Sequence, residues 1–154
     1  MRATLLLLVA ACSQIGDGAV ELNWALRPAS SADPDKFVDC ALNGGSAVPM
    51  PVTFIRLDWL RSDGTPDHDF WNCSDNTGVT GFVLEPGERL LTVSPRCGEP
   101  GSDGDGVPAD PTTYTAPAAV ERTVTAGDTV SLGAVQLVLE ISNCDLQQCI
   151  CNGH

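Results

Sequence analysis

Seven cysteines are the side chains in this sequence with the widest choice of chemistry, because a thiol can be oxidised to a disulfide, acylated or bound to a metal ion. In an exported protein an odd number leaves one of them unpaired. Cys12 lies apart from the others, directly after an apolar run, so we expect it to be modified alone and the other six to close three disulfides. The six are Cys40, Cys73, Cys97, Cys144, Cys149 and Cys151.

The pairing of these six is open, because three bridges can be drawn in many ways. Cys40 with Cys73 is the pairing that we favour, since both lie in strand-like runs in the same half of the chain. Cys97 is expected to pair with a cysteine of the C-terminal tail and so hold the tail against a loop.

A zinc site is the alternative for the tail, because thiolate and imidazole are ligands that zinc accepts. The groups concerned are Cys144, Cys149, Cys151 and His154. Their spacing contains no paired CxxC, and exported thiols are oxidised. Structural disulfides are therefore the preferred interpretation.

The first residues predict export. Arg2 places a positive charge near the N-terminus, and residues 3–11 are uncharged and include the apolar run Leu5-Leu6-Leu7-Leu8-Val9. This run is too short for a membrane-spanning helix, which needs roughly 20 apolar residues, but it has the form of a signal peptide that ends in small residues. We expect residues 1–11 to be a cleaved signal segment. An ordinary secretory peptide, with Cys12 as one more thiol, is the alternative.

Val9-Ala10-Ala11-Cys12 resembles the lipobox of bacterial lipoproteins. The resemblance implies that the chain is cut before Cys12 and that this cysteine carries the acyl chains that anchor the protein to a membrane. Residues 12–19 would form a lipidated tether that reaches about 25 Å at most. Ser13 follows the cysteine, where enterobacterial lipoproteins of the inner membrane carry aspartate. The expected location is the cell envelope, with the outer membrane favoured.

Alternating acidic residues in a glycine-rich stretch are the candidate metal ligands. Asp103, Asp105 and Asp110 lie close together, and such carboxylates can surround calcium, which takes about six to eight oxygen ligands. The stretch resembles a single thrombospondin type 3-like calcium repeat. A solvated loop is the plainer interpretation, so no cofactor is expected and calcium is the alternative.

The sequence contains no residue set typical of catalysis, and we expect a protein that is not an enzyme. Its histidines are His68 and His154, and His68 lies in Asp67-His68-Asp69, which we interpret as part of a turn. Neither GxSxG nor HExxH occurs, and no glycine-rich phosphate loop precedes a helix. Carboxylates are so frequent in this chain that a pair of them nearby in the sequence does not indicate a catalytic site.

Aromatic residues supply the predicted ligand contact. Trp24 and Trp59 alternate in phase with aliphatic residues and are expected in the core. Phe70 and Trp71 are adjacent, and neighbouring strand residues face opposite sides of a sheet. One of these two is therefore expected to face outward, where it could contact a glycan or a protein.

The net charge of −12 at pH 7 argues against nucleic acid as a partner, because phosphates require a basic surface. It also argues against electrostatic adhesion to anionic lipid. Attachment to the membrane is therefore expected through the N-terminal lipid alone, and the partner is expected to be an envelope protein or a glycan.

Short apolar runs with a two-residue period predict an all-β protein. About seven or eight short strands separated by turn residues are typical of an antiparallel β-sandwich. Gly133 is expected to mark a bulge or bend, and residues 95–117 are expected to form a long loop. The predicted strands are residues 20–26, 37–42, 52–60, 70–73, 79–84, 89–94, 119–125 and 129–141.

The order of strands and turns resembles the bacterial transthyretin-like, or carboxypeptidase-regulatory-like, domains. The resemblance covers about residues 37–139 and is carried by Asp75-x-x-Gly78, Leu84-x-Pro86-Gly87 and Val124-x-x-Gly127. It implies a seven-stranded sandwich with a binding or spacing role in the envelope. We therefore expect residues 20–154 to form a single, disulfide-stapled β-sandwich domain with a cysteine-rich C-terminal tail.

Overall fold

A computed structural model of the chain describes residues 16–28, 52–97, 107, 108, 114, 115 and 117–139. Within these ranges the chain forms β-strands and one short 3₁₀ helix, Cys73–Asp75, so the prediction of an all-β protein is confirmed there. The strands are β1 (Ala19–Pro28), β2 (Val52–Leu60), β3 (Pro66–Asn72), β4 (Thr77–Val79), β5 (Gly87–Cys97), β6 (Val107–Pro108), β7 (Tyr114–Thr115), β8 (Val120–Val124) and β9 (Thr129–Leu139).

Strand β3 begins earlier than the sequence predicted. Pairing between β2 and β3 extends from Phe54↔Asn72 to Leu60↔Pro66, so the hairpin closes directly after Leu60. His68 lies in this strand opposite Asp58, and its assignment to a turn is wrong. The segment is mostly polar, so it lacks the apolar alternation from which a strand would be predicted. An edge strand can have this composition because it does not need apolar residues on both faces.

Two further expectations need correction. The predicted loop over residues 95–117 contains the end of β5 and the two-residue strands β6 and β7, which pair with β5 and β9 respectively. The predicted strand over residues 79–84 is mostly irregular after β4, although Leu84 forms an isolated bridge to Gly18. The predicted strand over residues 37–42 lies outside the described residues.

The strands form two sheets. One has the order β4-β1-β9-β7, and the other has the order β3-β2-β5-β6 with β8 also paired to β5. The pair β1–β9 is parallel, so the expectation of a wholly antiparallel arrangement is wrong at this position. Turn residues predict hairpins between consecutive strands, whereas a parallel pair requires a long connection. Here it joins the first and last described strands of the chain.

The predicted irregularity at Gly133 is confirmed. Glu21 pairs with Ser131, but Asn23 pairs with Ala134, so β9 contains one more residue than β1 between these two pairs. Gly133 lies at this bulge with φ of 70°, a left-handed conformation that glycine adopts without steric cost.

One buried core lies between the two sheets. In β1 the side chains of Leu22, Trp24 and Leu26 are buried, and in β2 those of Ile55, Leu57 and Trp59 are buried, as their two-residue period predicted. Strand β9 adds Val135, Leu137 and Leu139. The core that these strands share gives the fold a sandwich-like arrangement.

The two ends of this sandwich differ. The end that we call the N-terminal pole consists of residues 16–18, 61–65, 81–87 and 125–128. Backbone hydrogen bonds from Gly127 to Asp17 (2.9 Å) and from Gly18 to Leu84 (2.8 Å) join three of these segments. The opposite end, which we call the cysteine pole, contains Cys73 and the end of β5 at Cys97.

Replacement of Gly18 by alanine is expected to lower the free energy of unfolding by about 1–3 kcal/mol, because a Cβ there would overlap Val124 and lie 2.6 Å from the Thr125 carbonyl oxygen. Urea denaturation measures this. Gly16→Ala is the matched control, since nothing lies within 4 Å of its added Cβ. Equal midpoints for the two variants would contradict the close packing at the N-terminal pole.

No helix in the described ranges has the length and apolar character needed to cross a membrane.

Candidate functional site

A cleft of about 640 Å³ opens at the N-terminal pole of the sandwich, beside strand β3. Segments from several parts of the chain contribute to its wall: the approach to β1, the β2–β3 hairpin and the loop that follows β4. The lining residues are Asp17, Trp59, Arg61, Asp67, His68, Asp69, Val83 and Glu85. A volume of this size falls within the range of small-ligand sites.

Strand β3 places two carboxylates on the inner side of the sheet. Asp67 pairs with Trp59 and Asp69 pairs with Leu57, and both partners are buried core residues. Directly paired residues project to the same face, so Asp67 and Asp69 face the space between the sheets. Inward-pointing charge on an edge strand also discourages pairing with another chain, which is a structural role compatible with ligand contact.

Ion pairs and hydrogen bonds fix the side chains at the outer wall of the cleft. Arg61 donates from Nε (2.9 Å) and from a terminal nitrogen (2.8 Å) to Oδ2 of Asp67. Glu85 accepts a hydrogen bond from the backbone N–H of Ser62 (2.7 Å) and one from Arg89 (3.2 Å). These contacts connect the β2–β3 turn to the loop before β5, so each of these two segments holds the other in place at the cleft.

The surroundings of two cleft carboxylates shift their pKa values in opposite directions. Burial raises the pKa of Asp69, although the backbone N–H of Phe70 (2.9 Å) donates to it. Hydrogen bonding from Ser62, through its side chain and then its backbone, lowers the pKa of Glu85. In the described part of the chain, neither the Asp17 carboxylate nor Oδ2 of Asp69 accepts a hydrogen bond, so both are available to a ligand.

Asp69→Asn is expected to make the protein more stable than the wild type at pH 7. The folded state disfavours the ionised Asp69, so the wild type loses stability as pH rises above 3.8, the ordinary pKa of this group, toward its raised folded pKa. Below pH 3.8 the advantage of the variant disappears. Urea denaturation from pH 3 to pH 8 measures the difference.

Glu85→Gln provides the comparison of opposite sign. A lowered pKa means that ionised Glu85 stabilises the fold above pH 4.5, its ordinary pKa, and that this stabilisation is lost as pH falls through the folded pKa. The variant should be slightly less stable than the wild type at pH 7, because Glu85 is solvated. A destabilised Asp69→Asn at pH 7 would contradict the burial of that carboxylate.

The predicted aromatic contact pair is divided between the two faces of β3. Trp71 packs partly buried against the core, with its ring centroid 6.1 Å from that of Trp24. Phe70 lies on the outer face, with its ring edge-on to Phe54 at a centroid distance of 5.9 Å. Phe70 is therefore the outward member of the pair, and it does not line the cleft.

The predicted cysteine and metal residues fall partly in the described ranges. Cys73 and Cys97 are 0 % exposed. Asp103, Asp105 and Asp110 lie outside the described residues, and so do His154 and the other cysteines. Among the described side chains, no group of three or more histidines, cysteines, aspartates or glutamates could hold a metal ion.

Sequence reasoning did not select the cleft residues. Asp67, Asp69 and Trp71 recur with a two-residue period, which is the signal that could have placed them on one face of a strand. No sequence signal predicts that Asp17 and Glu85 lie in the same cleft, because this depends on the bridge between Gly18 and Leu84.

Comparison with known proteins found no match to any protein-family model, curated protein or solved structure.

Proposed function

We propose that this protein is a membrane-anchored lipoprotein of the cell envelope, with a noncatalytic β-sandwich domain that binds another molecule at the cleft beside strand β3. The observation that carries the binding role is the cleft itself. It is large enough for a side chain or a small ligand, and two of its carboxylates, Asp17 and Asp69, are available for contact.

The state of the other carboxylates favours binding over acid–base catalysis. Asp67 is held by Arg61, and Glu85 is held by Ser62 and Arg89. Both carboxylates already accept hydrogen bonds from fixed donors, so they are poorly suited to pass a proton to a substrate. A rigid, charged recess on a β scaffold is typical of a recognition module.

The position of the N-terminus is compatible with a lipid anchor. The described chain begins at Gly16, which is exposed, and Cys12 precedes it by only four residues. If Cys12 carries acyl chains, the N-terminal pole faces the membrane at a distance that residues 13–15 set. Ser13 favours the outer membrane, by the resemblance to enterobacterial lipoproteins.

Buried cysteines support an oxidising compartment. Cys73 and Cys97 are fully buried, and we propose that each sulfur takes part in a disulfide. Cys97 pairs through its backbone with Val52, the first described residue after the segment that contains Cys40. Strand β9 ends at Leu139, just before the tail cysteines. We propose that bridges from the cysteine pole staple these two segments to the sandwich.

Cys12→Ser is expected to move the protein from the membrane fraction to the soluble fraction and to remove the mass of the acyl chains. Stable anchoring requires more than one acyl chain, so loss of the acylated cysteine should release the whole domain. Cell fractionation and intact-mass measurement on protein from its native envelope test this. An unchanged distribution and no loss of acyl mass would overturn the lipoprotein proposal. Ser13→Ala is the matched control and should remain anchored.

A further inference from the structure

An exposed apolar loop lies beside the cleft. Phe82 and Val83, between β4 and β5, are 42 % and 49 % exposed. Val83 also lines the cleft, as Trp59 and Arg61 do. Large apolar side chains held at the surface beside a recess are typical of contact with another macromolecule.

The charge of the cleft defines the chemistry of that macromolecule. Four carboxylates line the cleft, together with the guanidinium of Arg61, which is already bonded to Asp67, and the imidazole of His68. Partial burial of Asp69 weakens its solvation, so a cation placed there interacts more strongly than it would in water. The chain as a whole has a net charge of −12, which attracts a basic partner from a distance.

We propose that the partner is a basic, amphipathic polypeptide segment. One of its lysine or arginine side chains enters the cleft between Asp17 and Asp69, and a neighbouring apolar side chain packs on Phe82 and Val83. This inference rests on the proposed binding function and names the chemistry of the partner.

The alternation of charge and apolar surface explains why one segment would contact both features. Val83 faces the cleft, whereas Phe82 is its neighbour in a tight turn closed by a 2.9 Å hydrogen bond from Val83 N–H to the Gly81 carbonyl. An extended peptide presents adjacent side chains to opposite sides, so a segment that lies between the cleft and the loop directs a lysine at position i to the cleft and an apolar side chain at position i+1 to the loop.

Titration calorimetry on the full acylated chain in nonionic detergent micelles tests the proposal. The probe is a ten-residue peptide of alternating lysine and leucine, and the heat of its mixing with empty micelles is subtracted. The comparison peptides are alternating lysine and serine, which lacks the apolar side chains, and alternating glutamate and leucine, which lacks the positive charge. The lysine–leucine peptide should bind tightest, and its affinity should fall as salt is raised.

The double variant Asp17→Asn/Asp69→Asn is expected to weaken binding of the lysine–leucine peptide by about tenfold or more. Val83→Ser should weaken it by about threefold, because the variant removes apolar contact area. Asp75→Asn removes the same kind of charge at an exposed position of the 3₁₀ helix, at the cysteine pole, and should leave the affinity unchanged. Asp69→Asn is expected to be at least as stable as the wild type, and urea denaturation of the double variant establishes that it is folded under the conditions of the binding measurement.

Equal affinity of the double variant and the wild type would overturn the proposal, and so would equal loss in Asp75→Asn. Equal binding of the lysine–serine peptide would overturn the role of the apolar loop. Failure of the lysine–leucine peptide to bind would also overturn the inference. None of these outcomes alters the fractionation or the acyl mass of the protein, on which the lipoprotein proposal is tested separately.

Discussion

Trp24→Ala lowers the free energy of unfolding by about 3–5 kcal/mol, the largest effect that we expect from a single substitution. Trp24 is 4 % exposed and lies in the shared core of the two sheets, where its ring packs against Trp71. Its indole N–H also donates to the Cys73 carbonyl at 2.8 Å. Removal of the ring therefore opens a cavity and leaves the Cys73 carbonyl with the longer hydrogen bond from the Asn76 N–H (3.3 Å) alone among the described residues.

Trp24→Phe separates these two contributions. Phenylalanine keeps most of the apolar ring but cannot donate to the Cys73 carbonyl, so it should cost about 1–3 kcal/mol. Gln136→Ala, at an exposed position of β9, is the control and should change stability by less than about 0.5 kcal/mol. Urea denaturation followed by tryptophan fluorescence and circular dichroism measures all three. A cost below about 1 kcal/mol for Trp24→Ala would contradict the position of this ring in the core.

Cys97→Ala or Cys73→Ala is expected to lower the free energy of unfolding by about 2–5 kcal/mol, because loss of a bridge releases the unfolded chain from a covalent constraint. Alanine is preferred to serine, since a buried hydroxyl would add a penalty of its own. Reduction of the wild type should destabilise it by at least as much as either substitution. Urea denaturation with and without reductant measures these changes.

A thiol count distinguishes this result from simple loss of packing. Under denaturing, non-reducing conditions the acylated wild type should show no free thiol, and each single alanine variant should expose one. Ser74→Ala, at the exposed neighbour of Cys73, is the matched control and should change neither the stability nor the count. Several free thiols in the wild type, together with denaturation that is insensitive to reductant, would contradict the proposed staples.

Local sequence is sufficient to predict the strands that have one apolar face. In β1, β2 and β9 the apolar side chains recur at every second residue, and a half-buried strand requires this pattern whatever its neighbours are. Trp24, Trp59 and Leu137 could therefore be assigned to a core before any pairing was known. Gly133 is similar, because glycine inside such a strand indicates a bulge on local grounds.

Long-range packing fixes which strands are neighbours and where the cleft lies. The parallel pairing of β1 with β9 joins segments about one hundred residues apart, and no local turn signal specifies it. The same long-range packing brings Asp17 and Glu85 to the inner face of β3, where Asp69 is already fixed by its register with Leu57. A carboxylate acquires its role from the groups that surround it in space, and local sequence cannot supply those groups when they come from distant strands.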